Sequence, residues 1–324
     1  MAKKQETKEE FIARMNKRYG DGAVLLANYV PSDIDVIEHP SIGFNLASST
    51  WGVPRGGIVV IEGDQHTGKS TFVLETIASA QKQGLTCMLM DYEYSLDRTY
   101  AERLGVDFDN LILSTPTSME DGYNIAVDAL ENGIVDLLVI DSISAMEPEM
   151  VQDKEIGQKS VAPEAKIHSD ALRRLKPLLK KQNACLIGIS QYRAQVGSMS
   201  PNADKGLSGG NAWKFYPDFR IKLSRLITKK DDGYFVNNVE ITKNKKGTAF
   251  LKHKMFYTIN SGVDKVRELI EYGKEVGVIK QAGAWYSHKD TKLGGGMEAV
   301  RTFFEDNPEY FQNVKEEVIT ALRG

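Results

Sequence analysis

Residues 63–70 read Gly-Asp-Gln-His-Thr-Gly-Lys-Ser, a glycine-framed turn ending in Gly-Lys-Ser. Its flanks restrict what such a chain can fold into. Ile58-Val59-Val60-Ile61 is β-branched and lies between Gly56-Gly57 and Gly63, which predicts a buried parallel strand. Phe72, Val73, Thr76, Ile77 and Ala80 then recur at helical spacing. A strand, a glycine turn and a helix start in that order place backbone amides at the positive end of a helix, which suits a phosphate. On this reading Gly63, Asp64, Gln65, His66, Thr67 and Gly68 form the cradle and Thr71 continues it into the helix. Lys69 reaches the β- and γ-phosphates and Ser70 is a Mg²⁺ ligand. The alternative is a chance glycine-rich turn, and the two flanking elements argue against it.

Three strand-like runs end in polar groups. Leu137-Leu138-Val139-Ile140 ends in Asp141, placed to hold Mg²⁺ or its waters. Met88-Leu89-Met90 runs into Asp91-Tyr92-Glu93. Glu93 is either a group that polarises an attacking water or a solvated strand-end acid. Ile187-Gly188-Ile189-Ser190 ends in Gln191, whose amide either senses a γ-phosphate or is an ordinary loop-entry group. Tyr100, just after Asp97, either stacks on a base or packs in the core. Lys243 and Lys245, at i and i+2, point the same way from a strand end and either face a phosphoryl group or water.

Alternating strands (58–62, 86–91, 111–114, 136–141, 185–190, 219–223, 235–242) and helices (69–83, 97–104, 119–132, 163–182) predict an α/β core with a mostly parallel sheet. Before it, Phe11, Ile12 and Met15 share one side of an N-terminal helix that Gly20 and Gly22 stop, and residues 31–56 read as irregular or β. From about 262 the pattern changes to short helices. The expected domains are an N-terminal helical segment with linker over 1–32, the core over 33–261 and a small C-terminal domain over 262–324.

No apolar run approaches the roughly 18 residues of a membrane span, and the first residues lack an apolar signal core. Cys87 and Cys185 sit in apolar runs and read as buried free thiols in a reducing cytoplasm. Net charge is −3, but residues 154–254 carry 21 Lys and Arg against 8 Asp and Glu. That segregation fits either a polyanion partner or a solvated surface. Residues 153–163 and 192–210 are polar and aperiodic, as functional or disordered loops are.

Several motifs in order resemble the bacterial RecA recombinases over most of the chain. They are Gly52-Val53-Pro54-Arg55-Gly56-Gly57, the phosphate loop, Asp91-Tyr92-Glu93, Val139-Ile140-Asp141-Ser142, Gln191-Tyr192-Arg193, Gly209-Gly210-Asn211-Ala212-Trp213-Lys214-Phe215-Tyr216, Lys243-Asn244-Lys245 and Ala282-Gly283-Ala284-Trp285-Tyr286-Ser287. The resemblance implies a RecA-like P-loop ATPase core, an N-terminal helix for protomer packing and a small α+β C-terminal domain. It implies an ATP- and Mg²⁺-dependent enzyme that forms a helical filament on single-stranded DNA and pairs it with homologous double-stranded DNA.

By the same resemblance Glu93 activates water, Gln191 senses the γ-phosphate, Asp97 and Tyr100 contact adenine, and Lys243 and Lys245 reach a neighbour's ATP. Lys214 and Phe215 match the subunit interface. Val161, Arg173, Arg193, Val196, Met199, Ser208, Gly209, Gly210 and Asn211 match DNA-contacting positions. The chain departs from the family at Asp64-Gln65-His66-Thr67. It also has Ser224, Asn238 and Glu240 where the site for a second DNA strand is basic, although Arg225 remains there. Two rivals share the core: a hexameric helicase-type motor, and an ATP-dependent single-strand-binding regulator without strand exchange.

Overall fold

A computed structural model describes residues 6–20, 23, 24, 26, 34–152, 164–193, 206–207, 210–229 and 233–324. Residues up to Ile34 form one compact unit and Asp35–Gly324 another. In the first, α1 (Lys8–Tyr19) begins with a capping box: Thr7 Oγ1 accepts from Glu10 N at 3.2 Å and Glu10 accepts from Thr7 N at 2.9 Å. Gly20 ends it at φ 102°, in the region that favours glycine.

The second unit runs β1 (Val36–Ile37), α2 (Ile42–Ser48), β2 (Val53–Pro54), β3 (Gly57–Gly63), α3 (Lys69–Lys82), β4 (Cys87–Asp91), α4 (Arg98–Arg103) and β5 (Leu111–Ser114). It continues α5 (Met119–Glu131), β6 (Leu137–Asp141), α6 (Glu149–Gln152), α7 (Glu164–Gln182), β7 (Cys185–Arg193), β8 (Gly206–Leu207), α8 (Gly210–Phe215), β9 (Phe219–Lys229), β10 (Tyr234–Asn244), β11 (Lys252–Thr258) and β12 (Gly262–Val263). It closes with α9 (Lys265–Glu275), β13 (Ile279–Ala282), β14 (Trp285–His288), β15 (Thr291–Gly295), α10 (Met297–Asp306) and α11 (Pro308–Arg323).

The large sheet has the order β12-β11-β10-β9-β3-β7-β6-β4-β5, with β8 beside β7. From β9 to β5 every neighbouring pair is parallel; β10, β11 and β12 are antiparallel additions. The central parallel strands β4 and β6 and the first half of β3 are continuous apolar runs because both faces are covered. Val59 and Ile61 pack with Phe72 and Ile77 of α3 on one face, and Ile58 and Val60 pack with Leu172, Leu175 and Trp213 on the other. A third apolar cluster joins α9, α10 and α11 to the small sheet β13-β14-β15 and takes in Ile42 of α2.

The short helix α2 stands where an irregular or β segment was expected. It is fixed from far along the chain: the buried Glu268 carboxylate accepts from Ser41 Oγ at 2.8 Å, Ile42 N at 2.6 Å, Gly43 N at 3.3 Å and Phe256 N at 3.1 Å. The short-helix pattern expected after 262 is interrupted by a three-stranded antiparallel sheet.

Gly188 in β7 is required by packing. A Cβ there would lie 2.6 Å from the Trp213 ring and 2.7 Å from Ile143 Cδ1. Gly188→Ala is expected to destabilise the fold by about 1–3 kcal/mol, read as a lower midpoint in denaturant unfolding at unchanged slope.

Candidate ATP site and the opposite rim

β3 delivers the chain to the loop at Gly63. A Cβ at Gly63 would meet the Leu223 carbonyl oxygen at 2.5 Å and Thr67 Oγ1 at 2.8 Å, so β9 leaves room only for glycine. Gly68, at φ 79°, caps the start of α3. The loop's carbonyls are engaged by the protein. Asp64 O accepts from Thr67 Oγ1 at 2.9 Å, Thr67 O from Asn237 Nδ2 at 2.6 Å, and His66 O from Arg225. Lys69 Nζ bonds Gly63 O at 3.1 Å and Asp64 O at 2.7 Å. The amide edge of the loop, at the N-terminus of a 14-residue helix, is thereby left to face an anion. Burial lowers the Lys69 pKa, and the nearby Asp141, Glu93 and Asp64 oppose that shift.

Parallel register brings the strand-end groups to this loop. Gly63 aligns with Gln191, and Asp91 aligns with Asp141, so β3, β7, β6 and β4 all end on one rim. Ser70 Oγ donates to Asp141 Oδ2 at 3.1 Å. Burial, then repulsion from Glu93, pushes the Asp141 carboxyl up to about 6, with the Ser70 hydrogen bond opposing. A hydroxyl and a carboxylate facing the phosphate end of a cradle are the hard oxygen donors that Mg²⁺ prefers, with its remaining positions left to phosphate and water. Among the described residues no group of three or more His, Cys, Asp and Glu is placed to form a metal cage.

Glu93 is held on two sides. Ser142 Oγ donates to its Oε1, and so does Gln191 Nε2 at 3.2 Å. Its backbone is fixed by buried Asp91, which accepts from Glu93 N at 3.1 Å, Ser95 N at 3.0 Å and Leu96 N at 3.1 Å. Loop, Glu93, Asp141 and Gln191 line a common cavity of about 430 Å³.

A second hollow of about 250 Å³ shares His66, Gly68 and Thr71 with the first. Tyr100 is on its wall, with its hydroxyl 2.8 Å from Thr71 Oγ1. Asp97 caps α4 by accepting from Tyr100 N at 3.0 Å. Phe235 and Tyr257 stack at 4.8 Å beside this hollow; Tyr257 is fully buried and the Arg225 guanidinium covers Phe235, so the stack braces the wall from behind. Sequence reasoning did not anticipate this stack, because aromatic residues on strands carry no mark of what they pack against. It also placed Arg225 in the second-strand site. Here the guanidinium lies 3.6 Å over the Phe235 ring and bonds the loop at His66 O.

Lys243 and Lys245 are elsewhere. Lys243 pairs with Arg220, which pairs with Val60, three residues before the end of β3. At about 3.3 Å per residue that is some 10 Å back from the loop rim, and β10 runs away from the loop. Lys243 Nζ donates to Phe215 O at 2.9 Å, and Lys245 pairs with Asp218 at 3.1 Å beside Lys176 at 2.7 Å. Burial and the neighbouring Lys245 lower the Lys243 pKa. Phe215 is 63% exposed and Lys214 is exposed next to it. Arg173, exposed and paired with Asp170 at 3.1 Å, lines a basic hollow on this rim with Lys176, Lys180 and Lys246.

Gly210 opens α8 at φ 65° and Asn211 is exposed beside it. The helix is anchored through Trp213 Nε1, which donates to His168 Nδ1 at 3.2 Å, and Tyr123 Oη lies 2.6 Å from the same nitrogen. No sequence signal marked this link. Val161, Val196, Met199, Ser208, Gly209 and the Arg193 side chain lie outside the described residues.

A parallel sheet, a glycine loop opening a helix, and Asp141 and Glu93 on neighbouring strand ends define a P-loop ATPase of the RecA-like α/β class. The chain belongs to the RecA family: the RecA N-terminal domain family matches residues 6–264 and the RecA C-terminal domain family matches 267–323. It is 38% identical over 303 residues to Protein RecA of Cytophaga hutchinsonii, covering 92% of this chain and 85% of that protein. Against Protein RecA of Clostridioides difficile the figures are 36% over 313 residues, 95% and 90%. Against that of Porphyromonas gingivalis they are 36% over 316 residues, 96% and 92%. The match to the RecA C-terminal domain speaks against the helicase-type rival. No helix among the described residues is long and apolar enough to cross a membrane.

Proposed function

We infer that this RecA-family recombinase, a DNA-dependent ATPase, completes its ATP site only between two copies of itself. One observation carries the reading: Lys243 and Lys245 stand on the rim opposite the phosphate loop of their own chain. They can serve a phosphoryl group only on a neighbour. Repeating such a head-to-tail contact without closure gives a helical filament. The apolar side of α1 with Phe11, Ile12 and Met15 is a surface for the same packing.

In this reading the loop amides and Lys69 bind the phosphates, and the Thr71–Tyr100 pair orients the base. Ser70 and Asp141 would hold Mg²⁺, which would supply charge neutralisation at the phosphates. Glu93, kept in place by Ser142, Gln191 and Asp91, accepts a proton from the attacking water. Gln191 lies two residues before the end of β7, where the chain enters residues 194–205, so its contact with Glu93 ties the nucleotide to that segment. Single-stranded DNA lies against the basic region that includes Arg173 and the segments 153–163 and 192–208. Homologous duplex is the second partner, and the cytoplasm is the setting.

Asp141→Asn is expected to raise the Mg²⁺ concentration needed for half-maximal ATP hydrolysis by about tenfold or more, measured by Mg²⁺ titration at saturating ATP. Single-strand binding should be largely indifferent to sequence and weaken steeply with salt. ATP hydrolysis with and without single-stranded DNA tests the whole reading. Turnover independent of DNA would contradict it.

A further inference from the structure

We propose that the cavity between the end of α3 and helices α9 and α11 is a second anion site, which takes a small phosphate-bearing ligand. The cavity holds about 310 Å³, within the range of small-molecule sites and too small for a folded segment. Lys82 from the last turn of α3, Lys265 from the first turn of α9 and Lys315 from α11 all line it. Among the described residues none of the three has a carboxylate within ion-pair distance or a side-chain hydrogen bond. Lys82 and Lys265 are exposed and Lys315 is half-buried, and an anion shared among three ammonium groups from three separate elements would relieve their repulsion. At Lys265 burial and then Lys82 lower the pKa, Glu75 opposes the shift and Lys315 adds to it. Lysine meets phosphate as a compact point charge, without the planar geometry that carboxylates demand of arginine.

The rest of the lining fits such a ligand. The Ser79 hydroxyl offers a donor, and Leu104 and Phe311 give an apolar wall for an organic portion. Under the site lie His39 and Glu75, 3% and 5% exposed. His39 Nε2 and Glu75 Oε2 are 3.9 Å apart, and neither atom makes a hydrogen bond. Ser41 N donates to His39 Nδ1, so the ring's hydrogen sits on Nε2 and points toward the acid. Burial pushes Glu75 up to about 7, opposed by the Val263 N–H hydrogen bond at 2.7 Å and by Lys265. Glu38 is the other lining acid, and it is exposed.

The cavity is separate from the ATP site. Lys82 is 13 residues from Lys69 along α3, about 20 Å at 1.5 Å per residue. An occupant would hold the end of α3 to α9 and α11, and so tie the ATPase core to the C-terminal helices.

The probe is inorganic pyrophosphate, titrated calorimetrically into the full chain carrying Lys69→Ala so that the phosphate loop is weakened. Saturable binding is expected, with a rise in thermal midpoint that saturates with it. Lys265→Ala or Lys315→Ala, each added to that chain, should weaken binding by about tenfold or more. The thermal midpoints of these variants without ligand should stay level or rise, because a repulsion has been removed. A parallel titration with AMP separates the sources: tighter binding than pyrophosphate assigns the site to nucleotide phosphates, and weaker binding to free phosphates. No saturable binding would overturn the proposal. So would binding unchanged by either lysine substitution, or binding that requires Lys69.

Discussion

Glu93→Gln lowers DNA-stimulated ATP turnover by about 10²- to 10⁴-fold, the range for loss of a positioned general base, while ATP binding persists. The substitution is close to isosteric, and the amide can still accept from Ser142 and Gln191 at the positions the carboxylate uses. What it loses is the ability to take a proton. Binding is measured with a fluorescent ATP analogue and turnover by phosphate release. A Glu93→Gln chain that hydrolyses ATP at the parent rate would assign water activation to another group, with Asp91 excluded by its three backbone hydrogen bonds.

Lys243→Ala abolishes most of the DNA-dependent rate, by about 10²- to 10³-fold, the cost of removing one donor aimed at developing charge. The chain's own phosphate loop remains intact, so a dilute protomer should bind ATP as the parent does. Lys243 is held ready by Phe215 O at 2.9 Å, and Phe215 itself is exposed. A neighbour's γ-phosphate would therefore compete for an ammonium whose present partner is a single carbonyl. Lys245→Ala should have a smaller effect, since its charge is already shared with Asp218.

The parallel core was legible because strands buried on both faces read as continuous apolar runs, and each strand of 57–63, 87–91 and 137–141 does so. The polar residue that ends each run marks the rim, which is why Asp141, Glu93 and Gln191 could be named. Other parts had no local signature. Helix α2 is seven residues with a glycine and an asparagine inside, and its capping acid is more than 220 residues away. Strand β11 alternates in burial, with Met255 and Tyr257 inward and Lys252 and Lys254 outward, but His253 on the inner set and Phe256 on the outer set hide that period in the residue types. Ser142 and Asp91 look like ordinary strand-end residues; their hold on Glu93 depends on how far β4 and β6 extend relative to each other. The placement of Arg225 over the loop likewise depends on β9 being the strand next to β3.

The most direct test of an ATP site shared between copies is a mixing experiment. Glu93→Gln and Lys243→Ala chains, each nearly inactive alone, are combined in equal amounts on single-stranded DNA and assayed for ATP hydrolysis. In a head-to-tail polymer of random order roughly one interface in four joins an intact Glu93 face to an intact Lys243 face, so about a quarter of the parent rate should return. If the mixture is no more active than the two variants separately, Lys243 acts within its own chain, and the shared site is refuted.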